Sequence, residues 1–225
     1  MMKDETIIQQ GDIRFLSKIT ASCTHEVRNA LAIISELSGL IEDELRFGKS
    51  DNPFSKKELE SFAATLKEQT GRANQILLKL NHFAHSAEET GLTLLDLGTM
   101  INNMIFFSNR MAGLKRITLK TAFSPEPLSL KSYPFKLQHA IFLCIQKAIE
   151  LSVMRGQVTI TFNKFTNGVE VSVIVDSATV QDKSETINEI SLPPELAVQP
   201  GSKISISHLQ NNSLAINLTV PFSPE

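Results

Sequence analysis

Cysteine is scarce in this chain of 225 residues: Cys23 and Cys144 are the two, and they form no CxxC pair. That excludes a disulfide framework and a thiolate zinc site, and it fits a reducing compartment. An excess of one charge is lacking too. The formal net charge is −2, so no basic field draws the chain to nucleic acid or anionic lipid. No apolar run reaches the roughly 18 residues that a membrane span needs. The N-terminus, Met-Met-Lys-Asp-Glu-Thr, has no apolar signal core. The expectation is a cytoplasmic protein with no nucleic-acid or membrane partner, and with no room for a sensor domain ahead of the first helix. No internal repeat is evident.

What is present suits a soluble globular chain, with 42% hydrophobic and 20% charged residues and length for two small domains or one large one. Leu16, Ile19, Cys23, Val27, Ala30, Ile34, Leu37, Ile41 and Leu45 recur at spacings of three and four. This is a coiled-coil-like seam, and it predicts a helix from a cap at Asp12 to about Phe47. Residues 48–53 are polar and turn-rich. Ser55 and Glu58 then read as a capping box. A second seam follows: Leu59, Phe62, Leu66, Gln69, Ala73, Ile76, Leu80 and Phe83. Gln69 and Gly71 mark a weak point in that helix. One hairpin buries both seams poorly, so a second copy is expected: a homodimer built as a four-helix bundle.

His25 stands out on the first helix. It falls about 200° from both Cys23 and Val27, so it points away from the seam and into water. Asn29 lies about 40° from it on the same face. A solvent-facing imidazole on a rigid helix is a candidate nucleophile. Glu26 beside it can accept a proton or orient the ring. Small neighbours, Ala21, Ser22 and Ala32, leave room for a partner domain. The wider docking face includes Arg28, Ala32, Glu36 and Gly39, with Arg14 and Lys18 close by. From spacing alone, His25 reads first as a polar surface residue on a bundle helix.

The pattern changes near residues 88–91. Thr99 is a plausible cap for a third helix to about Ala112. Residues 134–153 read as an apolar helix. Period-two alternation marks strands over 116–122, 157–163, 169–176, 203–208 and 214–220, with Asn211-Asn212 as a hairpin turn. Residues 177–200, with Pro193, Pro194 and Pro200, read as irregular. Helices on one face of a mixed sheet give a two-layer α/β sandwich. His82 and His85 lack a third metal ligand, so no metal site is expected. His139 and His208 have no supporting constellation, and Cys144 reads as a packing residue.

The run His25-Glu26-Val27-Arg28-Asn29 resembles the phosphoacceptor box of bacterial sensor histidine kinases. Residues 73–85 are similar to that family's second dimerisation helix. Leu95-Asp96-Leu97 is similar to the entry of its ATP-binding domain. The resemblance implies an α+β protein: residues 1–90 a dimerisation and phosphotransfer hairpin, residues 91–225 a kinase-like ATPase sandwich. It implies that His25 carries the phosphoryl group, that Glu26 assists proton transfer, and that Asn29 orients water. The ATP site departs from the family pattern. Lys147 stands where a magnesium-binding Asn is expected, and an ammonium has no lone pair for a metal. Asp176 is in place, but the glycines that should follow it are replaced in Asp-Ser-Ala-Thr-Val, and residues 180–199 contain no glycine. The chain is most similar to kinase-shaped histidine phosphotransferases with a degenerate nucleotide domain.

The implied function is phosphorelay between His25 and receiver-domain aspartates. The implied partner is a response-regulator receiver domain, which carries the Mg2+; no cofactor is expected in this chain. The alternatives are a response-regulator phosphatase, a non-catalytic scaffold, and a divergent active kinase.

Overall fold

A computed structural model describes residues 2–47, 54–123, 127–178, 198–210 and 212–222. They form two compact units, Leu16–Ala84 and Met1–Phe15 with His85–Glu225.

The helices are α1 (Met2–Phe47) and α2 (Lys56–Glu88); their Leu16–Ala84 portion makes the helical unit, and the residues before Leu16 and after Ala84 belong to the α/β unit. The expected capping box opens α2. Ser55 donates from its backbone N–H and its hydroxyl to Glu58 Oε2, at 2.8 and 2.7 Å. The Glu58 N–H donates back to Ser55 Oγ at 3.3 Å. These bonds hold the Glu58 carboxyl below its ordinary value of 4.5. The helix continues unbroken through Gln69 and Gly71. Ile19, Cys23 and Ala30 on α1 are buried, as are Gln69, Ala73, Ile76 and Phe83 on α2. Toward the hairpin turn the seams open: Leu59 is exposed and Leu45 is 82% exposed. The turn at 48–53 lies outside the described residues.

Asp12 does not cap α1, which begins at Met2. Its carboxylate is engaged elsewhere: His139 Nδ1 donates to Asp12 Oδ1 at 3.1 Å. The His139 ring stacks on Phe15, centroids 4.4 Å apart and 3° from parallel. Phe15 also meets Phe135 and Phe142. His139 therefore does have a constellation, contrary to the sequence reading. Its partners lie more than a hundred residues away along the chain, where local patterning cannot reach them.

The α/β unit runs β1 (Thr93–Asp96), α3 (Leu97–Leu114), β2 (Thr118–Thr121), β3 (Ser129–Ser132), α4 (Pro134–Leu151), β4 (Gln157–Phe165), β5 (Gly168–Val175), β6 (Lys203–His208) and β7 (Leu214–Pro221). Asp96, not Thr99, caps α3: its carboxylate accepts from the Thr99 N–H at 2.7 Å. An acceptor three residues before the free N–H is the usual capping geometry. Pro134 opens α4 at a position where a missing N–H costs nothing.

The main sheet has the order β2-β4-β5-β7-β6. The β2–β4 pair is parallel and the others are antiparallel. Register aligns the apolar rows. Val173 lies opposite Ile160 on one side and Ile216 on the other, and Val171 lies between Phe162 and Leu218. α4 packs on β5 and β7 and α3 on β2, and Ile101, Met104, Leu137, Ile141 and Ile145 of these helices are fully buried. Cys144 is buried among them, as expected, and burial pushes its thiol up to about 12. The small β1–β3 ribbon is an addition to the expected strands. The β6–β7 hairpin forms as expected, with Asn212 in the left-handed region at φ 61°, which Asn tolerates well. Its other expected turn residue, Asn211, lies outside the described residues, as does most of 177–200.

Candidate functional site

The site is built on one helical face. Thr24, just before His25, returns its hydroxyl to the Thr20 carbonyl at 2.8 Å, so it makes no demand on its neighbours. The His25 side chain is 45% exposed, on the outer face as expected. Its Nδ1 meets two groups. The Asn29 amide Nδ2 lies 3.2 Å away, a hydrogen bond across one helical turn. Glu26 Oε1 lies 3.6 Å away, in ion-pair range but beyond a good hydrogen bond. The predicted trio of His25, Glu26 and Asn29 is thus one cluster around a single ring nitrogen.

A fourth residue joins it that sequence reading missed. Arg72 on α2 donates from Nη2 to Glu26 Oε2. Its opposite charge was visible in the sequence. Its level against Glu26 was not, because the register of two antiparallel helices depends on the turn between them.

The expected docking face separates into two parts. Ala32 and Glu36 are exposed and Gly39 is half-buried, near the His25 side of α1. Arg28 is exposed but turns toward an apolar groove of about 250 Å³, lined by Cys23, Thr24, Val27, Arg28, Leu31, Leu77 and Leu80. Leu31 and Leu77 are 54% and 50% exposed there. Cys23 at its floor is buried, and burial, with the Glu26 charge second, raises its thiol to about 11. It is a packing residue and not a nucleophile. His85 Nδ1 donates to Glu88 Oε2 at 3.3 Å.

In the α/β unit, Lys147 and Asp176, which the sequence resemblance sets at nucleotide positions, each have a neighbour within the chain. Lys147 Nζ lies 3.8 Å from Glu150 Oε2 on the same helix. Asp176 Oδ2 accepts from Gln157 Nε2 at 2.7 Å. The β4–β5 pairing produces that contact, since Asp176 N–H also donates to the Gln157 carbonyl. Both sit at the edge of the sheet pairing that joins Val158 to Val175.

No protein-family model matches the chain, and no curated protein matches it either. Solved structures do. The catalytic domain of the histidine kinase ThkA, in two nucleotide-free crystal forms, aligns with TM-scores of 0.51 and 0.50. Each alignment covers 60% of this chain and 100% of that domain, at 17% and 19% identity. A ThkA structure in complex with the response regulator TrrA aligns over 99% of this chain and 66% of its own, at 18% identity and a TM-score of 0.48. A histidine kinase from Burkholderia phymatum covers 90% of this chain at 13% identity and a TM-score of 0.49. At such identities the likeness is one of fold. The likeness to the histidine-kinase catalytic-domain fold extends over 60% of a chain built as a helical hairpin followed by a mixed α/β sandwich. Among the described residues no helix is long and apolar enough to cross a membrane.

Proposed function

We propose that the protein is a dimeric histidine phosphotransferase of two-component signalling, which moves phosphoryl groups between His25 and receiver-domain aspartates without using ATP itself. One observation carries the reading: His25 is half-exposed on a rigid helix, with a carboxylate and an amide both facing its Nδ1.

The chemistry follows from that placement. The Nε2 lone pair attacks the phosphorus of a phosphoaspartate, forming a P–N bond. The acyl P–O bond breaks, and its electron pair leaves on the aspartate carboxylate. Glu26 accepts the Nδ1–H bond and offsets the positive charge that develops on the ring. The magnesium ion in this exchange belongs to the receiver. Ala32, Glu36 and Gly39 offer the receiver a face with little steric obstruction.

The nucleotide positions favour transfer over autokinase activity. An ammonium beside Glu150 is no magnesium ligand, and the glycines expected after Asp176 are replaced by Ala178 and Val180. We therefore derive no step through ATP. The half-exposed Leu31 and Leu77 favour a second copy over the groove, and a receiver partner fits a cytoplasmic protein. Incubation with γ-labelled Mg-ATP tests the autokinase question. The proposal expects no label on His25; clear labelling makes the protein a divergent kinase.

A further inference from the structure

We propose that Arg72 is a positioning residue for the phosphotransfer reaction, acting on His25 through Glu26 by setting which tautomer the imidazole adopts. The inference rests on the phosphotransferase reading for its consequence and on the geometry of α1 and α2 for its cause.

Two groups compete for His25 Nδ1, and they select opposite tautomers. The Asn29 amide nitrogen, at 3.2 Å, is a donor; a bond from it needs the Nδ1 lone pair and leaves the proton on Nε2. Glu26 Oε1, at 3.6 Å, is an acceptor; a bond to it needs Nδ1–H and frees the Nε2 lone pair. Only the second tautomer is a nucleophile at Nε2. In that form Nε2 bonds to phosphorus, the aspartate carboxylate leaves with the P–O electron pair, and the Nδ1 proton stays on the ring or passes to Glu26.

Arg72 decides how well Glu26 competes. Its guanidinium holds Oε2, which leaves Oε1 as the oxygen beside the ring. Without that anchor Glu26 is a long side chain with several free torsions, 28% exposed and able to turn to water. The Asn29 amide would then hold Nδ1 unopposed. An ion pair this exposed restrains its partners modestly, so the effect expected on tautomer population and rate is roughly fivefold and not a complete loss.

The test uses the full chain with uniformly 15N-labelled histidine, His25→Ala identifying the His25 ring signals. In Arg72→Gln, the 15N ring shifts should move toward the Nε2–H form. Single-turnover transfer from a phosphorylated receiver should slow about fivefold, with the receiver concentration for half-maximal rate unchanged. Arg72→Lys should recover part of both. Adding Arg72→Gln to Glu26→Gln should change nothing more, since the carboxylate through which it acts is already gone. Unchanged ring shifts and unchanged rates in Arg72→Gln would overturn the inference, as would an additive double variant. If the unaltered protein takes up no phosphoryl group from any receiver, the phosphotransferase reading fails by itself. The ring shifts then still decide the role of Arg72.

Discussion

At the scale of single residues, the chemistry sits in one turn and a half of α1. His25 touches Asn29 and Glu26 and none of the buried seam. His25→Ala should therefore leave the melting temperature within a degree or two of the original, because exposed substitutions usually change stability by under ~0.5 kcal/mol. The same variant should take up no phosphoryl group. Asn29→Ala should instead alter mainly the hydrolysis of a receiver's phosphoaspartate, measured by phosphate release, since an amide orients water but holds no phosphoryl group. The two thiols behave oppositely to a catalytic cysteine. Cys144 is fully enclosed, and its folded value of about 12 lies above the ordinary 9.0. The sign is that of a neutral group favoured by folding: its contribution is complete below pH 9 and is lost as pH rises toward 12. Urea midpoints at pH 8 and pH 10 should thus fall more steeply for the unaltered protein than for Cys144→Ala.

At the scale of elements, periodic segments and local motifs are legible in the sequence and long-range pairings are not. Seam spacing gave both hairpin helices, because an apolar stripe every three or four residues matches the pitch of a helix and not the alternation of a strand. The Ser55–Glu58 box was readable because its chemistry is local. The N-terminus of α1 was misplaced for the opposite reason: Asp12 has capping chemistry, but its partner is His139, brought to it by tertiary folding. The trio at His25 was legible because it lies within one helical turn, whereas Arg72 depended on inter-helix register. The α2 cap also has a pH signature. The depressed Glu58 carboxyl stabilises the helix start above 4.5, and that contribution is lost as pH falls through its lowered folded value. Acid titration followed by NMR should show Glu58 protonating after the exposed glutamates, with α2 amides near Ser55 losing exchange protection in the same window. Ser55→Ala should cost about 1 kcal/mol and blunt that response.

At the scale of the whole molecule, the helical unit presents an apolar groove that one hairpin leaves half wet. Leu31 and Leu77 each expose about half of their surface there, and full burial of a leucine is worth roughly 1.5–3 kcal/mol. A second copy is the expected cover. Light scattering should find a dimer at micromolar concentration, and Leu31→Glu with Leu77→Glu should give a folded monomer. In the α/β sandwich, Lys147 lies beside Glu150 and Asp176 accepts from Gln157. Its fold was readable from strand alternation; those two pairings needed the β4–β5 register and the turn of α4.

The central claim is that His25 exchanges phosphoryl groups with receiver aspartates. The most direct measurement incubates the protein with a panel of receiver domains pre-phosphorylated with labelled acetyl phosphate, then follows the label. The account predicts transfer to the unaltered protein within a catalytically relevant time, as an acid-labile, base-stable phosphohistidine that is absent from His25→Ala. Label that stays on every receiver, or that reaches His25→Ala equally well, would contradict it.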